Sequence, residues 1–453
     1  MAEKKTRLGV SAWAIVLFCA VLGHTAVNNL VGFPVKFALD GVLLVVSIVI
    51  FVRVRPERFR WYRLPAPLYW FLGWAVLSLI WSHYRFETML GVAAQLATTA
   101  VAVAVAFVLS WHELLRTLGT ALRYLVGLSF LFELWVSLFV REPLLPWWVV
   151  PPEGETPRIL YWSRDLLFEG GKIQGVLGNS TLFAFIGLLA LIVFGIQLRA
   201  SLVRAVNGWV WVGMAVLTLL LTRSATVWIA LAAVLVALAL ALWARRLDPM
   251  SRRPVYLTGA GLIVAVALLL AFARDWLWGL LGKNGDLTGR TEIWEKVWQL
   301  VQEHPVVGWG WVSHWATWVP PFKGLDVKAG LPVQTAENAW LDVWFQLGII
   351  GVLVFAPLVV LTLLRTWFRA VDQPRRGPGP ARPYATSGLW PWLVMVALVV
   401  QSLTTSELLF EGGWLLLVVL AVKTRYDFEL PALDTEPTRR PWRQVPIPRN
   451  GRA

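Results

Sequence analysis

Long apolar runs recur along the whole chain and constrain its fold more than any other feature. Several of them reach about 18 residues or more, the length that a helix needs to cross the hydrocarbon core of a bilayer. Of the 453 residues, 58% are hydrophobic and only 15% are charged. A soluble globular domain does not carry that balance, so the sequence predicts an all-α polytopic membrane protein.

We predict twelve transmembrane helices from these runs. They lie at about 9–27, 37–52, 65–82, 89–110, 118–139, 179–198, 205–222, 224–244, 255–273, 339–363, 387–405 and 412–423. The last run is short, and we expect it to extend into its flanks. The basic N-terminus and first run resemble a signal sequence. A second span follows closely without a convincing small-residue cleavage site, so we interpret the first run as an uncleaved helix.

Lys and Arg are unevenly divided between the two sides of the predicted bundle. With the N-terminus inside, 28 of the 41 basic residues fall in inner segments, and every short inner loop is basic. The positive-inside rule therefore favours both termini in the cytoplasm. This distribution also accounts for the net charge of +14, which in a soluble protein would suggest nucleic acid. We expect membrane lipids, and no nucleic acid, as partners.

Two predicted outer connections are long. The first covers about 140–178, and the second covers 274–338. In the second, the apolar spacing of 291–304 predicts an amphipathic helix that ends at Pro305. We therefore divide the chain into transmembrane helices 1–9 (1–273), an extracytoplasmic loop (274–338), transmembrane helices 10–12 (339–425) and a disordered cytoplasmic tail (426–453).

Several kinds of site find no support in the sequence. The one cysteine, Cys19, lies in the first apolar run, which excludes a disulfide within the chain and a cysteine metal site. The five histidines have no metal-ligand spacing, so we expect no metal site. A Walker A lysine motif and a dinucleotide fingerprint are also missing, and we expect no cofactor.

Basic residues on the outer side are candidates for ligand binding, because orientation in the membrane does not require them. Guanidinium groups suit phosphate oxygens, so this set suggests a lipid phosphate or diphosphate. The alternative is that these side chains extend to lipid headgroups. Arg223 is the sharpest case, since it joins two spans with almost no loop. The set comprises Arg158, Arg164, Lys172, Arg223 and Arg290.

Polar residues stand at the entrance to the tenth predicted span. Glu337 and Asn338 precede it, and Asp342 and Gln346 continue the face of Asn338 at helical spacing. Ionisable residues in a span usually face the interior of a protein or water. Glu337 could take a proton from a sugar hydroxyl. The alternatives are an exposed loop carboxylate for Glu337 and a structural hydrogen bond or ion pair for Asp342.

Tryptophan is unusually frequent, with 29 in the chain. Eight of them lie in or beside the second outer loop, where they fit stacking on sugar rings and also anchoring at the membrane interface. These eight are Trp294, Trp298, Trp309, Trp311, Trp315, Trp318, Trp340 and Trp344.

These residues carry a resemblance to the O-antigen ligase and polymerase superfamily of bacterial membrane glycosyltransferases, which includes exopolysaccharide polymerisation proteins. The main matches are Thr288-Gly289-Arg290-x-x-Ile293-Trp294, Pro305-x-x-Gly308-x-Gly310, and Asn338 with Gly348-x-x-Gly351 after nine further residues. The weaker matches are Lys172-x-x-Gly175 with Gly178-Asn179, and Leu221-Thr-Arg-Ser224. The resemblance extends from roughly 170 to 425.

The resemblance implies a GT-C-like helical fold and a glycosyltransferase of the bacterial inner membrane. Such an enzyme moves glycan from undecaprenyl diphosphate to a hydroxyl of a glycan or lipid-glycan acceptor on the outer face. We expect in-line, inverting transfer without a metal ion. Arg290 matches the loop arginine of the family, whereas Glu337 stands where the ligases have histidine and Lys172 where arginine is usual.

We therefore expect Glu337 and Arg290 to be catalytic. The expected substrate-binding residues are Arg223, Lys172, Asn338, Arg164, Arg158 and Asp342. Polymerisation of repeat units and ligation of a finished glycan both remain open. Two other classes also remain: a lipid-glycan flippase, which should show related halves, and a structural assembly scaffold.

Overall fold

The computed structural model describes residues 2–54, 56, 59–151, 156–272, 288–328, 330–372 and 384–429. Most of these residues are helical. The α-helices are α1 (Ala2–Leu22), α2 (His24–Val31), α3 (Phe33–Val54), α4 (Ala66–Leu77), α5 (Arg85–Val108), α6 (Trp111–Trp135), α7 (Ser180–Arg199), α8 (Ala205–Thr222), α9 (Ala225–Arg246), α10 (Arg253–Phe272), α11 (Thr288–Glu303), α12 (Ala339–Val371), α13 (Trp390–Ser402) and α14 (Glu411–Glu429). A two-stranded antiparallel hairpin, β1 (Val327–Lys328) and β2 (Leu331–Pro332), is the sheet within the described ranges.

Apolar helices long enough to cross a membrane dominate the fold. Within the described residues, seven qualify by length and hydropathy: α3, α5, α6 with the π-helical turn that follows it, α7, α8, α9 and α12. α1 and α2 form an eighth candidate, bent by 79° at Gly23, and α4 and α13 are shorter apolar helices. The structure confirms an all-α polytopic membrane protein. The count of twelve spans and the domain boundaries stay predictions.

Helix boundaries differ from the predicted ones in a few places. The predicted span 9–27 is not straight, because the chain turns sharply at Gly23. The amphipathic helix α11 covers 288–303, slightly earlier than expected. Residues 426–429, assigned to the tail from sequence, continue α14. The rest of that tail, 430–453, and residues 274–287 of the loop lie outside the described residues.

A break in α12 fixes the second long connection to the bundle. Gly348 has φ 68° and ψ −173°, which interrupts the helical hydrogen bonds. The carbonyl oxygens of Phe345 and Gln346 accept hydrogen bonds from the backbone N–H groups of Trp309 and Gly310, at 3.1 and 2.8 Å. The loop thus supplies partners that the broken helix lacks, as buried backbone groups require.

Two glycines make this contact possible. The backbone of Gly348 lies in a region that is essentially reserved for glycine, and an added Cβ would meet Val306. Gly308, at φ +70°, lies so close to α12 that its Cβ would be 2.5 Å from the backbone of Gln346. The P-x-x-G-x-G and G-x-x-G motifs are therefore the two sides of one backbone interface.

The second connection has a small hydrophobic core of its own beside the large core of the bundle. α11 contributes Ile293, Val297 and Val301, each at most 2% exposed and four residues apart. They pack with Trp315, Phe322, Phe345 and other buried residues. This apolar face packs α11 against the bundle, and the polar face of α11 points away from this core.

Candidate active site

An ion-paired group of three residues lies where α11 meets the start of α12. Arg290 Nε donates to Glu337 Oε2 at 2.6 Å, and Lys328 Nζ lies 3.5 Å from Glu337 Oε1. The side chains of Arg290 and Glu337 are 15% and 24% exposed. Two cations and one carboxylate leave this group with net positive charge, which suits an anionic ligand. The structure thus brings the two expected catalytic residues together.

Local backbone structure explains how these two side chains meet. The indole N–H of Trp294, one turn after Arg290, donates to the carbonyl oxygen of Ala336 at 2.9 Å. Glu337 adopts the left-handed conformation, with φ 49°. A non-glycine residue in that conformation is unusual and needs support from its surroundings. The support comes from the hydrogen bond at Ala336 on one side and from Asn338 on the other.

Asn338 caps α12. Its Oδ1 accepts from the backbone N–H groups of Trp340 and Leu341 at 3.0 and 3.2 Å, which satisfies donors left open at a helix start. Its Nδ2 donates to the carbonyl oxygen of Leu403 at 3.3 Å, in the turn between α13 and α14. Asn338 therefore joins Glu337 to that turn.

Asp342 lies beneath the ion-paired group and is fully buried. Its Oδ1 accepts from Trp315 Nε1 and from Gln346 Nε2, both at 2.9 Å, and its Oδ2 accepts from the Ala336 N–H at 3.2 Å. Gln346 in turn accepts from the Val312 N–H. This geometry matches the structural alternative considered for Asp342: its carboxylate holds the loop that carries Glu337.

The remaining expected residues form a second group on the first long connection and the α8–α9 turn. Arg223 ends α8 with φ 48° and is exposed. A Cβ on Gly170 would lie 3.9 Å from its guanidinium nitrogen. The Ile173 N–H donates to the carbonyl oxygen of Leu221 at 3.3 Å. These contacts bring the segment of Lys172 beside the segment of Arg223.

Arg158 and Arg164 are neighbours in the same group. Arg164 Nε donates to the carbonyl oxygen of Arg158 at 3.0 Å. Burial and the nearby charge of Arg158 lower the pKa of the half-buried Arg164. Arg158 itself is exposed. The two arginines thus form a compact cationic patch.

The hairpin connects the two groups. A Cβ on Gly330, between β1 and β2, would lie 3.6 Å from Pro157 Cγ. Pro157 precedes Arg158, and Lys328 on β1 pairs with Glu337. The two long connections therefore contact each other at the hairpin, next to Lys328 on one side and Arg158 on the other.

Glu133 anchors the second group and was missed in the sequence. It is 1% exposed and accepts hydrogen bonds from Ser163 Oγ at 2.9 Å and from the backbone N–H groups of Gln174 and Gly175 at 2.9 and 2.6 Å. An acidic residue inside an apolar span was the available signal. Through these hydrogen bonds, Glu133 holds in place the segment that carries Arg164 and Lys172.

A further ionisable cluster was also missed. Glu411, the first residue of α14, pairs with His24 at 2.8 Å and with Lys36 at 3.1 Å. The ring of His314 packs on Phe410, with centroids 4.2 Å apart. Its members come from four separate segments, so sequence spacing gave no sign of the cluster.

Most of the tryptophans around the loop have an internal role. Six indole N–H groups donate to protein acceptors, namely those of Trp294, Trp309, Trp315, Trp318, Trp340 and Trp344. Trp311 is fully buried. Trp298 and Trp318, at 43% and 65% exposed, keep accessible ring surface. Stacking on sugars therefore concerns few of these rings.

Comparison with known proteins finds similarity in the same part of the chain. A family model described as O-antigen ligase matches residues 210–356, which include Arg223, Arg290, Glu337, Asn338 and Asp342. Similarity also extends to the exopolysaccharide production protein ExoQ of Rhizobium meliloti (strain 1021), at 27% identity over 134 residues. That alignment covers 28% of this chain and 31% of the relative. Residues 210–356 are thus similar to the O-antigen ligase family, and the apolar helices fit a polytopic membrane protein.

Proposed function

We propose that the protein is a glycosyltransferase that moves glycan from undecaprenyl diphosphate to an acceptor hydroxyl. The observation that carries this proposal is the 2.6 Å pair of Arg290 and Glu337, within the family-matched region and beside Lys328. The reaction takes place on the outer face of the inner membrane, with both termini in the cytoplasm. The basic inner loops support that orientation.

Arg290 and Lys328 bind the donor diphosphate. A guanidinium group offers paired donors that match phosphate oxygens, and the ammonium group adds a point charge. Arg223, Lys172, Arg164 and Arg158 extend the positive surface along the carrier. Because these cations face the charge that develops on the leaving diphosphate, they stabilise the transition state without a metal ion.

Glu337 holds Arg290 in place beside the attacking hydroxyl, whose proton passes to a carboxylate of the site. The acceptor oxygen attacks the anomeric carbon from the face opposite the diphosphate. As the new C–O bond forms, the bond to the diphosphate breaks, and the diphosphate leaves with the electron pair. The anomeric configuration is inverted. Asn338 and Asp342 position Glu337 through the bonds at Leu403 and Ala336.

The test is a reconstituted transfer reaction. Purified protein in nanodiscs is incubated with an undecaprenyl diphosphate-linked oligosaccharide and an acceptor glycan, and longer or transferred glycan is measured. Arg290→Ala should reduce transfer at least about 100-fold, as loss of one charge-stabilising donor does. Lys296→Ala is the matched control, because it removes another 2.6 Å ion pair of α11, to Asp326, with Lys296 45% exposed.

Three outcomes decide the proposal. The proposal is supported if the wild type transfers glycan, Arg290→Ala is strongly impaired and Lys296→Ala is unaffected. Wild-type product yield from well-inserted Arg290→Ala contradicts the assignment of Arg290. Movement of labelled donor across a vesicle membrane without any glycan product would indicate a lipid-glycan flippase instead.

A further inference from the structure

A small cavity lies among α1, α2, α7, α13 and α14. Its volume is about 30 Å³, which has room for a water molecule or a hydroxyl group. Its polar lining consists of His24, Gln401 and Glu407, and the rest is mainly apolar. α7, which follows the segment of Lys172, forms one wall, and the turn contacted by Asn338 forms another.

Gln401 provides the cavity with an amide group that can hydrogen-bond to a polar ligand. The residue is 2% exposed and lines the cavity, and neither its Oε1 nor its Nε2 has a partner among the described residues. A buried amide that is left unpaired destabilises the folded protein, and a hydrogen-bonding ligand removes that cost. A hydroxyl group both donates and accepts, so one hydroxyl can satisfy either side of this amide.

Glu407 differs from Glu337 and Glu411 in the partners of its carboxylate. Glu337 is held by Arg290 and Lys328, and Glu411 is held by His24 and Lys36. For Glu407, the described part of the chain shows no ion pair and no hydrogen bond to the carboxylate. The side chain is half-buried at the cavity.

Burial raises the pKa of Glu407, and the negative charge of Glu411 adds to this rise, whereas the charge of His24 opposes it. The other ionisable groups nearby are Lys36, which pairs with Glu411, and His314, beside Phe410. A carboxylate with a raised pKa is better matched to proton transfer near neutral pH than an ordinary one.

We propose that Glu407 is the general base of the transfer and that Gln401 orients the acceptor hydroxyl for it. This inference rests on the proposed function. The hydroxyl proton passes to the Glu407 carboxylate while its oxygen forms the new bond to the anomeric carbon. The bond to the diphosphate breaks, and the diphosphate takes the electron pair. Glu337 then serves as the group that positions Arg290, and Glu407 as the proton acceptor.

The experiment compares Glu407→Gln and Glu407→Ala with the wild type in the reconstituted reaction. Loss of a general base should lower the transfer rate by about 10²- to 10⁴-fold, with donor binding unchanged. The acid limb of the wild-type pH–rate profile should disappear in Glu407→Gln. Azide needs no deprotonation, so it should restore donor cleavage in Glu407→Ala and give a glycosyl azide. Gln401→Leu should slow transfer without removing that acid limb.

Two controls separate a chemical role from a structural one. Glu87→Gln changes another carboxylate at the same end, an acceptor for Trp318, and should leave transfer unchanged. Arg290→Ala should lose donor binding and gain nothing from azide. Wild-type turnover in Glu407→Gln would overturn the proposal, and so would a Glu407→Ala variant that loses donor binding and does not respond to azide. Failure of the wild type to transfer glycan would instead overturn the proposed function itself.

Discussion

Arg290 Nε lies 2.6 Å from Glu337 Oε2, although 47 positions of the sequence separate the two residues. The contact joins the first turn of α11 to the residue that precedes the cap of α12. The bond from Trp294 to Ala336 lies directly beside it. The pair therefore forms only when the connection has folded back over the bundle, so loop structure and site assembly are coupled.

The first prediction tests the contributions of the Arg290–Glu337 pair to stability and to donor binding separately, by exchanging the two charges. Arg290→Glu and Glu337→Arg should each lower the free energy of unfolding by about 1–3 kcal/mol, since each leaves a partly buried charge without its partner. The double variant should regain most of this stability but stay inactive, because the guanidinium no longer faces the donor. Thermal unfolding and glycan transfer measure the two effects. Recovery of activity in the double variant would contradict the donor-binding role of Arg290.

The second prediction concerns the break in α12. Gly348→Ala should destabilise the protein by about 1–3 kcal/mol from backbone strain alone, and the contact of the new Cβ with Val306 adds to this. Gly195→Ala in α7 is the control, because a Cβ there meets nothing within 4 Å. It should be neutral or slightly stabilising, by up to about 1 kcal/mol. Equal melting temperatures of the two variants would show that the break is not required.

The sequence predicted the membrane class and most helix positions because long apolar runs report directly on burial in lipid. It also marked Gly308 and Gly348 through their motifs. It did not show that the two glycines face each other, because that contact depends on a left-handed backbone and on hydrogen bonds between distant segments.

The candidate site was predicted only in part. Arg290 and Glu337 were named from motif spacing, and the structure brings them into contact. Glu133 and Glu411 were missed, since their partners come from remote segments. The tryptophans could not be sorted by sequence either: an indole that donates to a buried carboxylate, such as Trp315, looks the same as one that stacks on a ligand.

The third prediction tests Asp342 as a structural anchor. Asp342→Ala leaves the buried N–H groups of the Trp315 indole and the Ala336 backbone without an acceptor, while Gln346 Nε2 keeps the Ser313 carbonyl oxygen. Each unpaired donor costs about 1–3 kcal/mol. The loop at 304–338 should then become sensitive to limited proteolysis, with a lower melting temperature. Glu87→Ala also removes an acceptor of an indole N–H, but its partner Trp318 is 65% exposed. That control should change stability by no more than about 0.5 kcal/mol. Equal protease resistance of Asp342→Ala and the wild type would contradict the anchoring role.

The last prediction follows from the raised pKa of Glu407. The folded protein binds a proton on this carboxyl more tightly than the unfolded chain does. The stability that this proton contributes is therefore complete below the ordinary pKa of glutamate and is lost as the pH rises through the folded value. Glu407→Gln removes this dependence, so its melting temperature should exceed that of the wild type at neutral pH. The difference should close as the solution is acidified. Differential scanning fluorimetry in nanodiscs, from about pH 4 to pH 8, measures the melting temperatures of the variant and the wild type on either side of the ordinary pKa of glutamate. A difference in melting temperature that stays constant across this range would mean that the Glu407 carboxyl has the same pKa in the folded and the unfolded protein. The folded surroundings would then not favour proton transfer to this group.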